Sequence, residues 1–279
     1  MDDRESWIVD RGSWSINDKR FTINVFVLAN ELNTQVMPEG PSIYLVREAL
    51  QPFIGKKILT ATGNSKIEKS ILVNKKIGDI KTWGKQLLLC FDDFTIRIHF
   101  LMFGSYLINE RKTTSLRLSL GFKKGEINFY TCSVKLIKEP LNEVYDFSAD
   151  VLSDSWSSRK ASLKLNKIPD KNVSDALLDQ QIFSGVGNII KNEVLFRIHV
   201  HPESLVGKLP PKIKSALVRE ARNYSFDFLK WKREFMLKKN WLIYTKKTCP
   251  RDHSAVIRKY VGITHRRTFF CEKCQTLYS

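Results

Sequence analysis

Two pairs of metal-ligating residue types lie close to the C-terminus. Cys249 and His253 form the first pair, and Cys271 and Cys274 form the second pair after 17 intervening residues. Pairs at this spacing, on a hairpin of about thirty residues, are typical of tetrahedral zinc. His265 competes as fourth ligand, and His253 is preferred because it forms a compact pair with Cys249. Four protein ligands leave no open position for a substrate, so the sequence predicts one structural zinc ion.

A second candidate site is the segment Gly185-Val186-Gly187-Asn188, which precedes a helical stretch. The start of a helix offers free backbone N–H groups and the positive end of the helix dipole, which together suit a phosphate group. Asn188 would add a side-chain donor. The alternative is a plain turn between two helices, in which Asn188 caps the second helix.

The two other cysteines, Cys90 and Cys132, lie inside strand-like runs. We expect them to be small buried apolar residues. Five cysteines are an odd number, and three of them fall in the last 31 residues, which does not indicate a disulfide framework.

The elements that must position these residues change character twice along the chain. After Pro-Glu-Gly, apolar residues recur at helical spacing from Ile43 to Phe53, which predicts a short amphipathic helix. Runs with strand character follow, separated by turn signals, and they predict an antiparallel sandwich or barrel. These runs are Leu87 to Phe91, Phe94 to Phe100, Ser105 to Ile108, Leu116 to Phe122, Ile127 to Tyr130 and Val134 to Ile137.

Beyond residue 150 the pattern becomes helical. Helices are predicted at Ser153 to Asn166, Val173 to Gln181, Asn188 to Ile198 and Pro211 to Phe235. The fold class is therefore α+β with two domains. We predict a leader at residues 1–36, a β-sandwich domain with flanking helices at 37–150, a helical domain at 151–239 and a metal-binding hairpin at 240–279.

The charge of the chain points to a polyanionic partner. The formal net charge is +17, and residues 1–36 hold four basic and six acidic residues, so the remaining residues carry a net charge of +19. A surplus of this size costs self-repulsion unless a partner neutralises it, which favours nucleic acid. No run of 18 apolar residues occurs, and residues 1–36 lack a basic region before their longest apolar run, so we expect a cytoplasmic protein with no membrane role.

Six motifs occur in one order from Met37 to the C-terminus, and together they resemble the formamidopyrimidine-DNA glycosylase and endonuclease VIII family. The motifs are Met37-Pro-Glu-Gly-Pro41, Gly84-Lys85, His99-x2-Met102-x-Gly104-Ser105, Leu178-Asp179-Gln180, Gly185-x-Gly187-Asn188 and Arg266-x-Thr268-Phe269-Phe270-Cys271-x2-Cys274-Gln275. Each motif alone is weak, whereas six in order are specific. The resemblance implies a two-domain clamp with a sandwich, a helix-two-turns-helix domain and a zinc finger, and with DNA in the cleft.

The resemblance also implies the chemistry of a DNA glycosylase that cleaves the strand. Such an enzyme uses an amine to form a Schiff base with the sugar, and in this family it is the amine of proline, here Pro38. Its pKa near 8 leaves a substantial neutral fraction at physiological pH. Glu39 would transfer protons to and from the opening sugar, although an acid beside a helix start can also be purely structural. Lys85 would contact the phosphates around the lesion.

Three further DNA contacts follow from the resemblance. Arg266 would bind a second phosphate, and Arg267 would replace it if the register slips by one residue. Met102 would fill the gap left by an extruded nucleotide, and its alternative is a place in the core. The expected partner is double-stranded DNA with oxidised bases or abasic sites. We expect a monomer that associates with the nucleoid through this DNA.

The chain departs from the family pattern at several positions. Ser42 stands where the family usually has Glu, and Thr131-Cys132-Ser133 stands near the place of an Arg-Arg-Phe segment found in the guanine-lesion branch. There is also little room after Phe235 for the loop that the same branch folds over an oxidised purine. The missing Arg-Arg-Phe segment and the missing loop favour the endonuclease VIII-like branch, which acts on oxidised pyrimidines, whereas Ser42 removes a carboxylate that would otherwise help to order the site.

Residues 1–36 are the largest departure, because a preceding residue turns the nitrogen of Pro38 into an amide. Translation from Met37, processing that exposes Pro38, or a chain without lyase activity would each explain them. We favour translation from Met37.

Overall fold

A computed structural model describes residues 38–279. The leader predicted at residues 1–36, together with Met37, lies outside the described residues. Helix α1 (Gly40–Leu50) comes first, with Pro41 in its first turn, where the ring fits without loss of a helical hydrogen bond. Its residues Ile43, Val46 and Leu50 recur at helical spacing and are buried in the core of the neighbouring β-sandwich.

The sandwich consists of two four-stranded sheets in which every pair of neighbouring strands is antiparallel. The strands are β1 (Ile58–Thr62), β2 (Asp79–Trp83), β3 (Gln86–Cys90), β4 (Thr95–His99), β5 (Ser105–Ile108), β6 (Leu116–Phe122), β7 (Glu126–Tyr130) and β8 (Ser133–Ile137). The sheet orders are β1-β6-β7-β5 and β2-β3-β4-β8. One hydrophobic core, with Leu87, Ile98 and Leu120 among its members, joins the two sheets. The predicted antiparallel sandwich is confirmed.

Strands β1 and β2 were not predicted from the sequence. Both lie at the edge of their sheets, where one side of the strand has no neighbour. In β1 only Ile58 is buried, so the alternation of apolar and polar residues that identifies a strand is missing. The other strand limits agree with the predicted runs to within one residue.

The second part of the chain is helical, as predicted. The helices are α2 (Leu141–Val144), α3 (Ser158–Asn166), α4 (Val173–Leu178), α5 (Asn188–Arg197) and α6 (Pro211–Arg233). The long helix α6 packs against α1, α3 and α5, and its residues Leu217 and Phe228 lie in a second hydrophobic core with Val186. The helix predicted from Ser153 starts later, because the side chain of Ser157 caps it by accepting the N–H of Lys160.

A two-stranded hairpin near the C-terminus packs against helix α5. It consists of β9 (Ile257–Val261) and β10 (Arg266–Phe270). Phe269 anchors the hairpin in a small apolar cluster with Phe196 and Ile243. In the part of the chain from residue 38 onward, no helix is long and apolar enough to cross a membrane.

Candidate active site

Three glycines allow three distant segments to touch. The N–H of Gly40 donates to the carbonyl of Gly185 at 2.9 Å, and a Cβ at Gly40 would lie 2.7 Å from Cα of Gly185. Gly84 has a φ of +53°, and a Cβ there would collide with the hydroxyl of Ser184. The N-terminal segment, the β2–β3 turn and the loop before α5 therefore meet only because these positions lack side chains.

A buried carboxylate fastens the β2–β3 turn to the helical domain. Asp150 accepts the N–H of Gly84 at 2.8 Å and the N–H of Leu152 at 2.9 Å. Burial raises the pKa of Asp150 to about 6, while the two N–H donors act in the opposite direction. The next residue of the turn, Lys85, is thereby held at a fixed place beside the domain boundary.

Glu39 lies at the start of helix α5, although it precedes helix α1 in the chain. Its carboxylate accepts the N–H groups of Gly187 at 3.1 Å, Ile189 at 2.7 Å and Ile190 at 3.3 Å. The residue is 1% exposed. A carboxylate in this position satisfies N–H groups that have no partner within the helix, and it is stabilised by the helix dipole.

The phosphate site at Gly187 and Asn188 stays a prediction, and the structure shows which groups this helix start already binds. Backbone N–H groups at the start of α5 donate to Glu39, so they are not free for a phosphate. The side chain of Asn188 is buried and donates to the carbonyl of Arg267 at 2.8 Å. Sequence reasoning identified a helix start that binds an anion, but the anion in the structure is a side chain of the protein itself.

Lys85 brings positive charge to Glu39, and Arg266 brings positive charge to Lys85. Burial raises the pKa of Glu39 above its ordinary value, and the charge of Lys85 acts in the opposite direction. Burial lowers the pKa of Lys85, Glu39 raises it and Arg266 lowers it. The segments that carry these three side chains meet at the start of helix α5. Pro38 is partly buried and immediately precedes Glu39 in the chain.

The two arginines of strand β10 have different neighbours. Both are exposed, and successive residues of a strand point to opposite sides. The charge of Arg266 lowers the pKa of Lys85, whereas Arg267 forms a hydrogen bond with Tyr260. Arg266 is therefore the arginine on the side of Lys85.

Sequence reasoning missed Lys191 on helix α5. Its side chain has an exposure of 0%, and its ammonium group donates to the hydroxyl of Thr268 at 2.7 Å. Burial lowers the pKa of Lys191 to about 7, and the charges of Asp175, Glu39 and Arg266 also act on it. The available signal was a lysine inside the otherwise largely apolar stretch Ile189–Phe196, which is more typical of a buried helix than of a solvated one.

The loop between β4 and β5 exposes three consecutive apolar side chains. Leu101, Met102 and Phe103 have exposed fractions of 51%, 52% and 72%. Met102 is therefore not a core residue, which was the alternative left open by the sequence. An exposed apolar loop of this kind is suited to insertion between stacked bases.

The three cysteines near the C-terminus lie together with one carboxylate. One ligand atom from each of Cys249, Asp252, Cys271 and Cys274 lies within 4.8 Å of the others. The sulfurs of Cys249 and Cys274 are 3.8 Å apart, and all three cysteines are free thiols. Sulfurs at Zn–S distances of about 2.3 Å in a tetrahedron would be about 3.8 Å apart, so this donor set fits a zinc ion.

The fourth side chain of this cluster is Asp252, not the predicted His253. The carboxylate of Asp252 lies 3.1 Å from the sulfur of Cys271. His253 is exposed, has a φ of 59° and contributes its backbone N–H to the carbonyl of Cys249. His265, the other candidate, is exposed in the β9–β10 turn. The turn after Cys249 therefore places the carboxylate of Asp252 beside the sulfurs and leaves the imidazole of His253 exposed.

A β-sandwich joined to a helical domain and a cysteine-bearing hairpin is the architecture of an Fpg-like fold. The formamidopyrimidine-DNA glycosylase N-terminal domain model matches residues 37–133, and the formamidopyrimidine-DNA glycosylase H2TH domain model matches residues 138–224. The chain belongs to the formamidopyrimidine-DNA glycosylase and endonuclease VIII family.

Similar proteins support the endonuclease VIII-like branch. Endonuclease 8-like 3 of Xenopus laevis is 31% identical over 88% of this chain and 45% of its own length. Endonuclease 8-like 2 of Mus musculus is 26% identical over 86% of this chain and 96% of its own length. The chain spans less than half of the Xenopus protein, so the activity of that longer relative extends to this chain only as a proposal.

Solved structures show the same fold. The formamidopyrimidine-DNA glycosylase of Lactococcus lactis, non-covalently bound to DNA with an abasic site, superimposes with a TM-score of 0.76 at 23% identity. The match covers 85% of this chain and 99% of that chain. A viral DNA glycosylase gives a TM-score of 0.74 at 21% identity, over 85% of this chain and all of its own.

Proposed function

We propose that this protein is a bifunctional DNA glycosylase and abasic-site lyase of base excision repair. The observation that carries the proposal is the meeting of three distant segments beside the start of helix α5: the segment with Pro38 and Glu39, the turn with Lys85 and the strand with Arg266. An amine, a carboxyl group with a raised pKa and two cations are the groups that this reaction requires.

The proposed reaction begins at the nitrogen of Pro38 when no residue precedes it. The amine attacks the anomeric carbon of the nucleotide, the bond to the damaged base breaks, and a Schiff base forms. Glu39 protonates the oxygen of the opening sugar ring, which its raised pKa favours. Elimination from the Schiff base then cleaves the strand.

Positive charge around this site would hold the DNA backbone. Lys85 and Arg266 would contact phosphates on either side of the extruded nucleotide, and the exposed Met102 would fill the gap in the stack. The net charge of +19 carried by residues 37–279 supports a DNA partner. The cytoplasmic location and the monomeric state expected from the sequence stay predictions.

Oxidised pyrimidines are the favoured substrates, and formamidopyrimidine or 8-oxoguanine is the alternative. Similarity to Endonuclease 8-like proteins and the absence of the Arg-Arg-Phe segment support the first choice. Borohydride trapping on duplexes that each carry one lesion separates the two. More adduct with oxidised pyrimidine than with 8-oxoguanine is expected, and the opposite order would assign the chain to the guanine-lesion branch.

We also propose that the cysteine cluster holds one structural zinc ion. Three thiolates and the carboxylate of Asp252 would fill four coordination positions, which leaves none for a substrate. The ion would hold the turn at residues 249–254 against the end of β10 and thereby stabilise the hairpin that carries Arg266.

A non-catalytic DNA-binding protein is the second candidate. The observation that favours it is the 37 residues that precede Pro38 in the sequence, because an amide nitrogen cannot form a Schiff base. Such a protein would bind damaged duplex through the same cations and would give no borohydride-stable adduct, whatever its N-terminus.

A further inference from the structure

Lys191 has no part in the proposed reaction, yet its position is costly. It lies in the middle of helix α5 with an exposure of 0%. Moving an ammonium group out of water is unfavourable, and a well-packed apolar side chain of similar volume often gives equal or higher stability. The stability of the fold therefore does not explain why a lysine stands here.

Two consecutive hydrogen bonds connect Lys191 to Arg266. The ammonium group of Lys191 donates to the hydroxyl of Thr268 at 2.7 Å, and that hydroxyl donates to the carbonyl of Arg266 at 3.0 Å. Thr268 is 1% exposed, so water does not compete for these bonds. The chain of bonds starts inside the helical domain and ends on the backbone of Arg266, whose charge acts on Lys85.

Other side chains on the same face of α5 hold the next residues of β10. Asn188 donates to the carbonyl of Arg267 at 2.8 Å, and Asn192 accepts the N–H of Phe269 at 2.6 Å. Positions 188, 191 and 192 share one face of a helix. Lys191 is the ionisable member of this row and the member whose bonds lead to Arg266.

Three charged groups from three segments act on Lys191. Asp175 of α4 and Glu39 of the N-terminal segment raise its pKa, and Arg266 of β10 lowers it, although burial has the largest effect. Asp175 also accepts the N–H groups of Ile263 and Thr264, which fixes the turn of the hairpin. Lys191 therefore interacts both with the carboxyl group of the site and with the arginine that would bind a phosphate.

We infer that Lys191 is a positioning residue for Arg266. Through the hydroxyl of Thr268 it fixes the backbone from which the guanidinium group of Arg266 reaches a DNA phosphate. The inference rests on the proposed function for the identity of its ligand. It assigns Lys191 a role in DNA affinity that a purely structural residue at the same place would not have.

The test measures binding of a duplex with a tetrahydrofuran abasic analogue, which requires no chemistry, to the chain that begins at Pro38. Lys191→Met keeps the volume and removes the amino donor, and Thr268→Val removes the hydroxyl. Each should weaken binding about tenfold, the size of one lost hydrogen bond between buried groups. In the background of Arg266→Ala, either change should weaken binding less than twofold, because residues that act through one another are not additive.

Two controls separate positioning from folding and from net charge. Lys212→Met removes one exposed charge from the first turn of α6 and should change affinity less than twofold. The thermal midpoint of Lys191→Met should equal or exceed that of the parent. If Lys191→Met does not fold, the same binding comparison is made with Thr268→Val alone.

Parental affinity in both variants, or an equal loss with and without Arg266, would overturn the inference. Its failure is distinguishable from failure of the proposed function. A parent that gives no borohydride adduct but shows the non-additive binding would refute the reaction and keep the role of Lys191. If the parent forms a borohydride-stable adduct while both variants bind with parental affinity, the reaction is supported and the role of Lys191 is refuted.

Discussion

The carboxylate of Glu39 accepts the backbone N–H of Ile189 at 2.7 Å, across 150 positions of the sequence. The residue proposed to transfer protons is therefore also the cap of the helix that holds the hairpin. Helix α5 therefore links the position of Glu39 to the position of strand β10, which is proposed to bind DNA.

Glu39→Gln should impair base excision and spare much of the cleavage at preformed abasic sites, where no base has to leave. It should also lower the free energy of unfolding by about 1–3 kcal/mol, because the amide replaces a charged acceptor of three N–H groups. Single-turnover rates on both substrates and denaturant unfolding measure the two effects.

Glu193→Gln is the matched control for that change. Glu193 is also fully buried, and its carboxylate accepts three N–H groups, those of Leu242, Ile243 and Tyr244. A similar loss of stability with normal single-turnover excision is expected. If both variants lose excision equally, Glu39 acts as a cap and not as an acid.

Cys271→Ser should lose zinc and DNA affinity while keeping most secondary structure. The cluster lies in a small apolar group with Phe196, whereas the sandwich has a separate core. Zinc content, circular dichroism and binding of damaged duplex measure this, with Cys90→Ser as a cysteine control in the sandwich. Binding as tight as that of the parent would mean that the hairpin is not part of the DNA interface.

Zinc content also identifies the fourth ligand. Asp252→Ala should release the ion, and His253→Ala should retain it, because the carboxylate lies with the sulfurs and the imidazole is exposed. The reverse result would restore the histidine predicted from the Cys-x3-His spacing.

DNA binding should weaken steeply with salt, and Arg266→Ala should reduce the slope of log affinity against log salt by about one. Arg267→Ala is the neighbouring control and should have a smaller effect. The side chain of Arg267 is already hydrogen-bonded to Tyr260 of the paired strand β9. A larger effect at Arg267 would reverse the assignment of the two arginines.

Lys191 should make stability depend on pH. Its pKa is lowered from 10.5 to about 7 in the folded state, so between these values the unfolded chain binds the additional proton. Stability of the parent relative to Lys191→Met should therefore rise as pH increases from 7 to 10.5, by up to about 1.4 kcal/mol for each pH unit. Denaturant unfolding at several pH values measures this. A difference that does not vary with pH would mean that Lys191 is charged throughout.

The sequence predicted elements with strong local patterns and missed contacts between distant residues. The interior strand β4 has continuous alternation and was found, whereas the edge strand β1 buries only Ile58 and was not. The ordered motifs pointed to Glu39, Lys85 and Arg266 as residues of the candidate site. They did not indicate that Glu39 caps α5 or that Lys191 reaches Arg266 through Thr268, because such contacts depend on how the domains pack. The spacing of Cys249 and His253 indicated a metal-binding turn. It did not determine whether Asp252 or His253 lies beside the sulfurs.

Borohydride trapping of two chains that differ only at the N-terminus tests the proposed nucleophile most directly. One chain begins at Met37 and should lose that residue, since proline follows it, and the other keeps all 279 residues. Intact mass verifies each N-terminus before both react with duplex that carries an oxidised pyrimidine or an abasic site. We predict a covalent adduct at Pro38 in the first chain and none in the second, because an amide nitrogen cannot form a Schiff base. Trapping of the chain that begins at Met1 would contradict the account and would direct attention to a lysine such as Lys85.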